Sequence, residues 1–283
     1  RAQRGKTLPR GFQKVDDMVR QQEVITKRKW NVALVTDSTC DLSQELLDFY
    51  QIHVVPVNLN FGDNHYLDKV TIQPDQFYDL LETAKEFPKT SQINERAFTN
   101  LYSHLASHYD AVIAVHLTGQ FSGTYANSRK AGERISKEFN KPVYVIDSKN
   151  LSGALGLLVL KTARNIEAGE AIESIVESLE RDVVQSKIFV SVRNLKYMIK
   201  GGRVSRPKGL LASALGLNPV ISMDKNGKSL LFGKTFSQEA SLNKIYKHIK
   251  KISLGKTVWN YIILHAHNPD GAEKAEEKMT ALT

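Results

Sequence analysis

Residues 111–124 read AVIAVHLTGQFSGT: a run of small and β-branched apolar residues, then a turn rich in glycine and hydroxyls, then the start of a helix. The run does not alternate apolar with polar, so both of its faces are expected to be covered, as in a parallel sheet flanked by helices. Residues 31–36 (NVALVT) and 143–146 (VYVI) read the same way. Working outward, strand-like and helix-like segments alternate. A short helix is expected over 45–50 behind an N-cap in Asp41-Leu42-Ser43, a second strand over 53–59 and a hairpin turn over 61–66. Helices are expected over 74–84, 94–107, 122–139, 152–167 and 172–183, the first two with apolar faces made by Phe77, Leu80 and Leu81 and by Phe98, Leu101 and Leu105. Alternation of this kind predicts an α/β unit with a mainly parallel sheet and helices on both faces.

From about residue 184 the pattern changes. A strand is expected over 187–192 and short helices over 195–200 and 207–215. An antiparallel hairpin of 218–223 and 229–235 is expected around Asp224-Lys225-Asn226-Gly227. A helix over 238–251, a strand over 258–264 and a helix over 271–281 complete the reading. The predicted organisation is a leader or linker (1–30), a three-layer α/β/α N-terminal domain (31–183) and a smaller α+β C-terminal domain (184–283).

The chain has 283 residues and a formal net charge of +9. Nine Lys or Arg against three acids within residues 1–30 give that segment +6, so the basic character belongs mostly to the leader. Nucleic-acid binding therefore does not follow from net charge. The single cysteine, Cys40, excludes an internal disulfide framework and fits a reducing cytoplasm. It is expected to be a small buried residue at a strand end. The longest nearly apolar run, 151–160, is too short to span a bilayer.

Four hydroxyl-rich turns stand out: Thr36-Asp37-Ser38-Thr39, Lys89-Thr90-Ser91-Gln92, Gln120-Phe121-Ser122-Gly123-Thr124 and Asp147-Ser148-Lys149. Three of them directly follow a buried strand, which places small donor groups at the carboxyl ends of parallel strands, where open α/β sheets bind ligands. Each alone reads as a helix cap. Together they suit a cradle for an anionic head group, in which Ser122 and the amides of Gly123 and Thr124 point at one spot. Asp37 and Asp147 both sit at strand ends, each followed by Ser, and form a possible acid–base or metal pair. His265 and His267, on one face of the strand expected there, form a conceivable two-His metal site with no third ligand nearby. Between Val183 and Met223 no acid interrupts Lys187, Arg193, Lys196, Lys200, Arg203, Arg206 and Lys208. That basic stretch suits an anionic membrane, an acidic partner or nucleic acid. The phosphate-loop, dinucleotide, esterase-elbow and C-x-x-C signatures are absent.

In order and spacing, these elements resemble the DegV family of fatty-acid-binding proteins. The resemblance rests on Thr36-Asp37-Ser38-Thr39-Cys40-Asp41, Val54-Val55-Pro56, Lys89-Thr90-Ser91-Gln92, Phe121-Ser122-Gly123-Thr124-Tyr125 and Val145-Ile146-Asp147-Ser148. It continues through Leu195, Lys200-Gly201-Gly202-Arg203-Val204-Ser205 and Leu217-Asn218-Pro219-Val220. It implies a two-domain protein that holds a long-chain fatty acid in a tunnel between its domains, with the carboxylate on Thr90 and Ser122. It also implies a non-catalytic, cytoplasmic carrier, without a cofactor, that presents its ligand to a fatty acid kinase or a fused kinase-related domain. Transient contact with an anionic membrane is implied as well, and no specific nucleic acid. Family members usually close with a Gly-rich segment whose His also contacts the carboxylate. No such segment precedes Thr283, and His265 and His267 lie in a different element, so the C-terminal domain is expected to be truncated and the cradle one donor short. The competing expectation is an enzyme for small phosphates or carboxylates built on Asp37 and Asp147.

Overall fold

Three apolar runs become the central strands of a parallel sheet. In a computed structural model describing residues 27–84, 86–193, 195–203 and 217–280, β1 (Val32–Asp37) pairs with β2 (His53–Val55) on one side and β6 (Ala111–His116) on the other. β7 (Val143–Asp147) then pairs with β6, for the order β2-β1-β6-β7. The pleat sorts the side chains of these strands by parity. Leu34, Ile113 and Val115 pack on one face with α1 (Gln44–Phe49), α5 (Ser152–Glu167) and α6 (Ile172–Gln185), through Leu47, Leu155, Val159, Ile175 and Leu179. Ala33, Val35, Val112 and Ala114 pack on the other with α3 (Glu95–His108) and α4 (Thr124–Phe139), through Phe98, Tyr102, Leu105, Ala131 and Ile135. This is the expected three-layer α/β/α arrangement. α4 lies close to the sheet at Gly132, where a side-chain carbon would stand 2.9 Å from Val145 and 3.1 Å from Val143.

The strand expected over 53–59 divides in two. Pro56 has no amide to give a ladder, and the Val57 amide donates to Ser38 Oγ at 3.0 Å instead. The chain then leaves the main sheet. β3 (Asn58–Phe61) opens a second, antiparallel sheet of order β4-β3-β5 with β4 (Asn64–Leu67) and β5 (Lys89–Ser91). Leu59, Phe61 and Ile72 form its core against Phe77 and Leu80 of α2 (Pro74–Thr83).

The third sheet, order β10-β9-β8, holds β8 (Phe189–Ser191) and the expected hairpin of β9 (Asn218–Met223) and β10 (Ser229–Thr235). α7 (Lys196–Lys200) supplies Met198 and Ile199 to its core around Leu195 and Ile221, and α8 (Gln238–Ile252) packs across it. α9 (Pro269–Thr280) follows. The strand expected over 258–264 is not formed. The segment runs along α5 instead: Ile262 and Leu264 rest on Gly153, and Trp259 lies within cation–π distance of Lys161 and Arg164. Those side-chain contacts replace a ladder partner. The helix expected over 207–215 and residues 1–26 of the leader lie outside the described residues. No helix among the described residues is long and apolar enough to cross a membrane.

Gly132→Val should cost about 1–3 kcal/mol of stability by overpacking the α4–sheet contact. Denaturant unfolding followed by circular dichroism checks this, and an unchanged midpoint would show that the contact is looser than described.

Candidate functional site

The chain passes from β1 through α1 to β2 on one side and reaches β6 on the other, so the strand order reverses between β1 and β6. Ligands of open α/β sheets bind at such switch points, outside the carboxyl ends of the strands. Three strand ends are level there: Thr36 faces Val115, and His116 faces Asp147. The loop that leaves β6 therefore runs over the ends of β1 and β7.

That loop is held one amide at a time. Leu117 N–H donates to Asp37 Oδ2 at 2.9 Å, and Thr118 N–H to the Asn150 carbonyl at 2.8 Å. Gly119 N–H donates to both Asp147 carboxylate oxygens at 3.3 Å. Gln120 N–H reaches Thr118 Oγ1 at 3.3 Å, and Phe121 N–H the Thr118 carbonyl at 3.1 Å. At the next corner Ser122 Oγ accepts from Thr124 N–H at 3.2 Å and pairs with Thr124 Oγ1 at 2.9 Å. Gly123, not Ser122, takes the N-cap position of α4, and it makes no side-chain cap. Of the amides expected to converge, that of Thr124 is therefore already bonded. The amides of Ser122 and Gly123 have no acceptor among the described residues.

Thr90 arrives differently from expectation. It lies in the middle of β5, an exposed strand opposite Leu59, and not in a capping turn. Asn94 caps α3 in its place, accepting from Ala97 N–H at 2.9 Å. The two motifs are nevertheless neighbours. Two residues beyond Thr90, the Gln92 amide occupies the space over Gly123 that any side chain there would fill. Ile93 N–H donates to Thr124 Oγ1 at 3.2 Å, and Asn127 Nδ2 donates to the Ile93 carbonyl at 2.8 Å. Arg203 closes the corner: its Nη2 donates to Thr90 Oγ1 at 3.1 Å. Lys200 lies over the Phe87 ring, on which Tyr197 stacks.

His116 was not singled out by the sequence. It is fully buried, with Nδ1 3.1 Å from Asp37 Oδ2 and Nε2 3.4 Å from Tyr102 Oη, which in turn lies 2.6 Å from Ser128 Oγ. Burial alone would raise the Asp37 carboxyl, but the hydrogen bond and charge of His116, with the donors of Thr39 and Leu117, hold it below its ordinary value. Asp147 is raised by burial against the bonds from Lys149 and Gly119. Both carboxylates are thus committed to loop amides. Among the described residues no group of three or more His, Cys, Asp or Glu is placed to hold a metal ion. This arrangement does not favour the expected acid–base or metal pair. Nor do His265 and His267 share a strand face. His265 accepts from Asn268 N–H, while His267 pairs with Asp75 at 3.1 Å and lies against Tyr78. Cys40 is buried as expected, its thiol pushed up to about 12 by burial. Lys187, Arg193, Lys196, Lys200 and Arg203 of the basic stretch are described; Arg206 and Lys208 lie outside the described residues.

A mainly parallel sheet with a hydroxyl corner at its switch point and separate antiparallel sheets beside it define an α/β protein. Residues 31–283 match the DegV family, described as "Uncharacterised protein, DegV family", and the chain belongs to it. A DegV domain-containing protein of Clostridium perfringens is 34% identical over 192 residues, 68% of either chain. The crystal structure of DegV, a fatty acid binding protein from Bacillus subtilis, superposes with a TM-score of 0.78 at 28% identity and 89% coverage of both chains. That of a stearic-acid-binding protein from Eubacterium ventriosum gives 0.79 at 27% identity, covering 89% of this chain and 87% of the other.

Asp37→Ala would strand His116 and the Leu117 amide without their acceptor and should cost about 3–5 kcal/mol. Because the folded carboxyl titrates below its unfolded value, its contribution is complete above about pH 4 and is lost only as pH falls through the lower folded value. Urea unfolding should therefore show a gap between variant and wild type that narrows as pH falls below about 4. A gap that stayed constant at acid pH would contradict an ionised Asp37.

Proposed function

We propose that the protein is a non-catalytic carrier of a long-chain fatty acid. The observation that carries this reading is the corner at Ser122 and Gly123, with two amides that have no acceptor among the described residues and a hydroxyl beside the Thr90–Arg203 pair. A carboxylate there accepts from Ser122 Oγ, Thr90 Oγ1 and those two amides, and Arg203 supplies the counter-charge. Hydrogen bonds to a charged group contribute about 1.5–3 kcal/mol each. The acyl chain then lies in the seam between the parallel sheet and the β8–β10 unit, which we take as the N-terminal (31–183) and C-terminal (184–283) domains. That seam carries a small cleft lined in part by Asn150, Val183, Ile188 and Met223. Burial at ~0.8 kcal/mol per CH₂ makes the tail the main source of affinity and leaves the corner to orient the head. Solved DegV relatives described as fatty-acid-binding proteins support the ligand class.

The carrier needs no cofactor and acts in the cytoplasm. It presents the exposed head group to a fatty acid kinase, for which Lys196, Lys200 and Arg203 form a basic rim suited to an acidic partner. It draws ligand from anionic membranes. Exposed Leu254 and Trp259, flanked by Lys250, Lys251 and Lys256, have the composition of an interfacial contact. Nucleic acid is not assigned to the basic rim, which lacks interleaved stacking aromatics.

Native mass spectrometry of freshly purified protein should show a bound mass equal to that of a fatty acid. Ser122→Ala and Thr90→Ala should each lower retention about tenfold without abolishing it. An empty wild-type protein that takes up no added fatty acid would sink the carrier reading. Unchanged retention in both variants would sink the head-group assignment alone.

A further inference from the structure

We propose that Thr118 and Gly227 form a clasp between the cradle loop and the β9–β10 hairpin, and that this clasp sets the rate of ligand exchange; the inference rests on the carrier reading. Thr118 is fully buried four residues before Ser122, and all of its polar atoms are used. Its amide donates to the Asn150 carbonyl, its carbonyl accepts from Phe121 N–H, and its Oγ1 accepts from Gln120 N–H. The hydroxyl proton goes elsewhere: Thr118 Oγ1 donates to the Gly227 carbonyl at 2.9 Å, across 109 residues of sequence. One hydroxyl thus shapes the turn that presents Ser122 and reaches into the other sheet's hairpin.

Gly227 is built for this contact. Its φ is +81°, a conformation that glycine adopts without strain. A side-chain carbon there would collide with Thr118 Oγ1 and stand 3.0 Å from Lys149 Cα. The hairpin turn therefore presses backbone-first onto the loops that leave β6 and β7. The turn is itself made rigid by Asp224, whose Oδ1 accepts from Asn226 N–H at 2.8 Å and Lys228 N–H at 2.9 Å. Rigid turn and pinned loop meet at a single buried hydrogen bond. Lifting the β8–β10 unit off the cradle leaves the Thr118 hydroxyl and the Gly227 carbonyl without each other, so opening and loosening of the Ser122 turn are one event. A ligand held in the seam leaves only through that event.

The test is stopped-flow release of a naturally fluorescent polyene fatty acid, chased with excess palmitate. Thr118→Val, which keeps shape and loses the hydroxyl, should release it about tenfold faster, equivalent to about 1.4 kcal/mol. Thr118→Ser should restore the wild-type rate. Gly227→Ala, made on the opposite side of the contact, should match Thr118→Val. A wild-type protein that binds the probe, with either disruptive variant folded and releasing at the wild-type rate, overturns the clasp and leaves the carrier reading intact. A wild-type protein that binds no fatty acid overturns the carrier reading itself. Hydrogen exchange of the wild-type protein provides an arm that needs no variant: residues 117–121 and 224–228 should gain protection together when palmitate is added. Protection of one segment without the other also overturns the clasp.

Discussion

Five consecutive amides, 117–121, leave the central strand without a strand or helix of their own to bond to, and the site depends on how they are satisfied. A buried donor left without an acceptor costs about 1–3 kcal/mol. The acceptors come from the neighbouring strand ends: the Asp37 carboxylate from β1, the Asp147 carboxylate from β7, the Asn150 carbonyl just beyond it, and Thr118 itself. This works only if β1, β6 and β7 end level, which the in-register pairing of Thr36 with Val115 and of His116 with Asp147 provides. Sheet register and loop shape are thus one constraint. A slip of one residue in β6 would turn His116 away from Asp37 and move Ser122 off its corner.

The parts of this arrangement that were legible in the sequence are those set by local pattern. The doubly apolar runs gave the central strands, the 3.6-residue repeats gave most of the helices, and Asp224-Lys225-Asn226-Gly227 gave the hairpin. Thr90 and Ser122 were singled out by the family resemblance, each reading alone as a cap, and the structure brings their segments into contact through Gln92 and Ile93. What was not legible depends on partners far along the chain. Lys89-Thr90-Ser91 resembles a cap because nothing local shows that Asn58, Leu59 and Asn60 will pair with it. Residues 258–264 have strand composition, but Gly153 and the cations of α5 offer side-chain contacts and no open ladder is filled. His116 is the one polar residue of the apolar run 111–117. Only the parallel register, which puts it level with Asp37 on the next strand, gives it a role. Arg203 belongs to a stretch whose charge was visible and whose address was not.

Two carboxylates this close to the proposed head-group site call for an account, since like charges repel by several kcal/mol at contact distance in a partly buried setting. The geometry answers in two ways. Asp37 is fully buried behind the loop and spends its charge on His116, Thr39 and the Leu117 amide. Asp147 faces Gly119 and Lys149. The corner itself presents the Ser122 and Thr90 hydroxyls, two amides with no acceptor among the described residues and the Arg203 guanidinium. Such a surface can hold a carboxylate without having a base or nucleophile aimed at it. Fully buried Asp37 and half-buried Asp147 are thereby scaffolding for the loop, and in the carrier proposed above the chemistry of the head group falls to a partner.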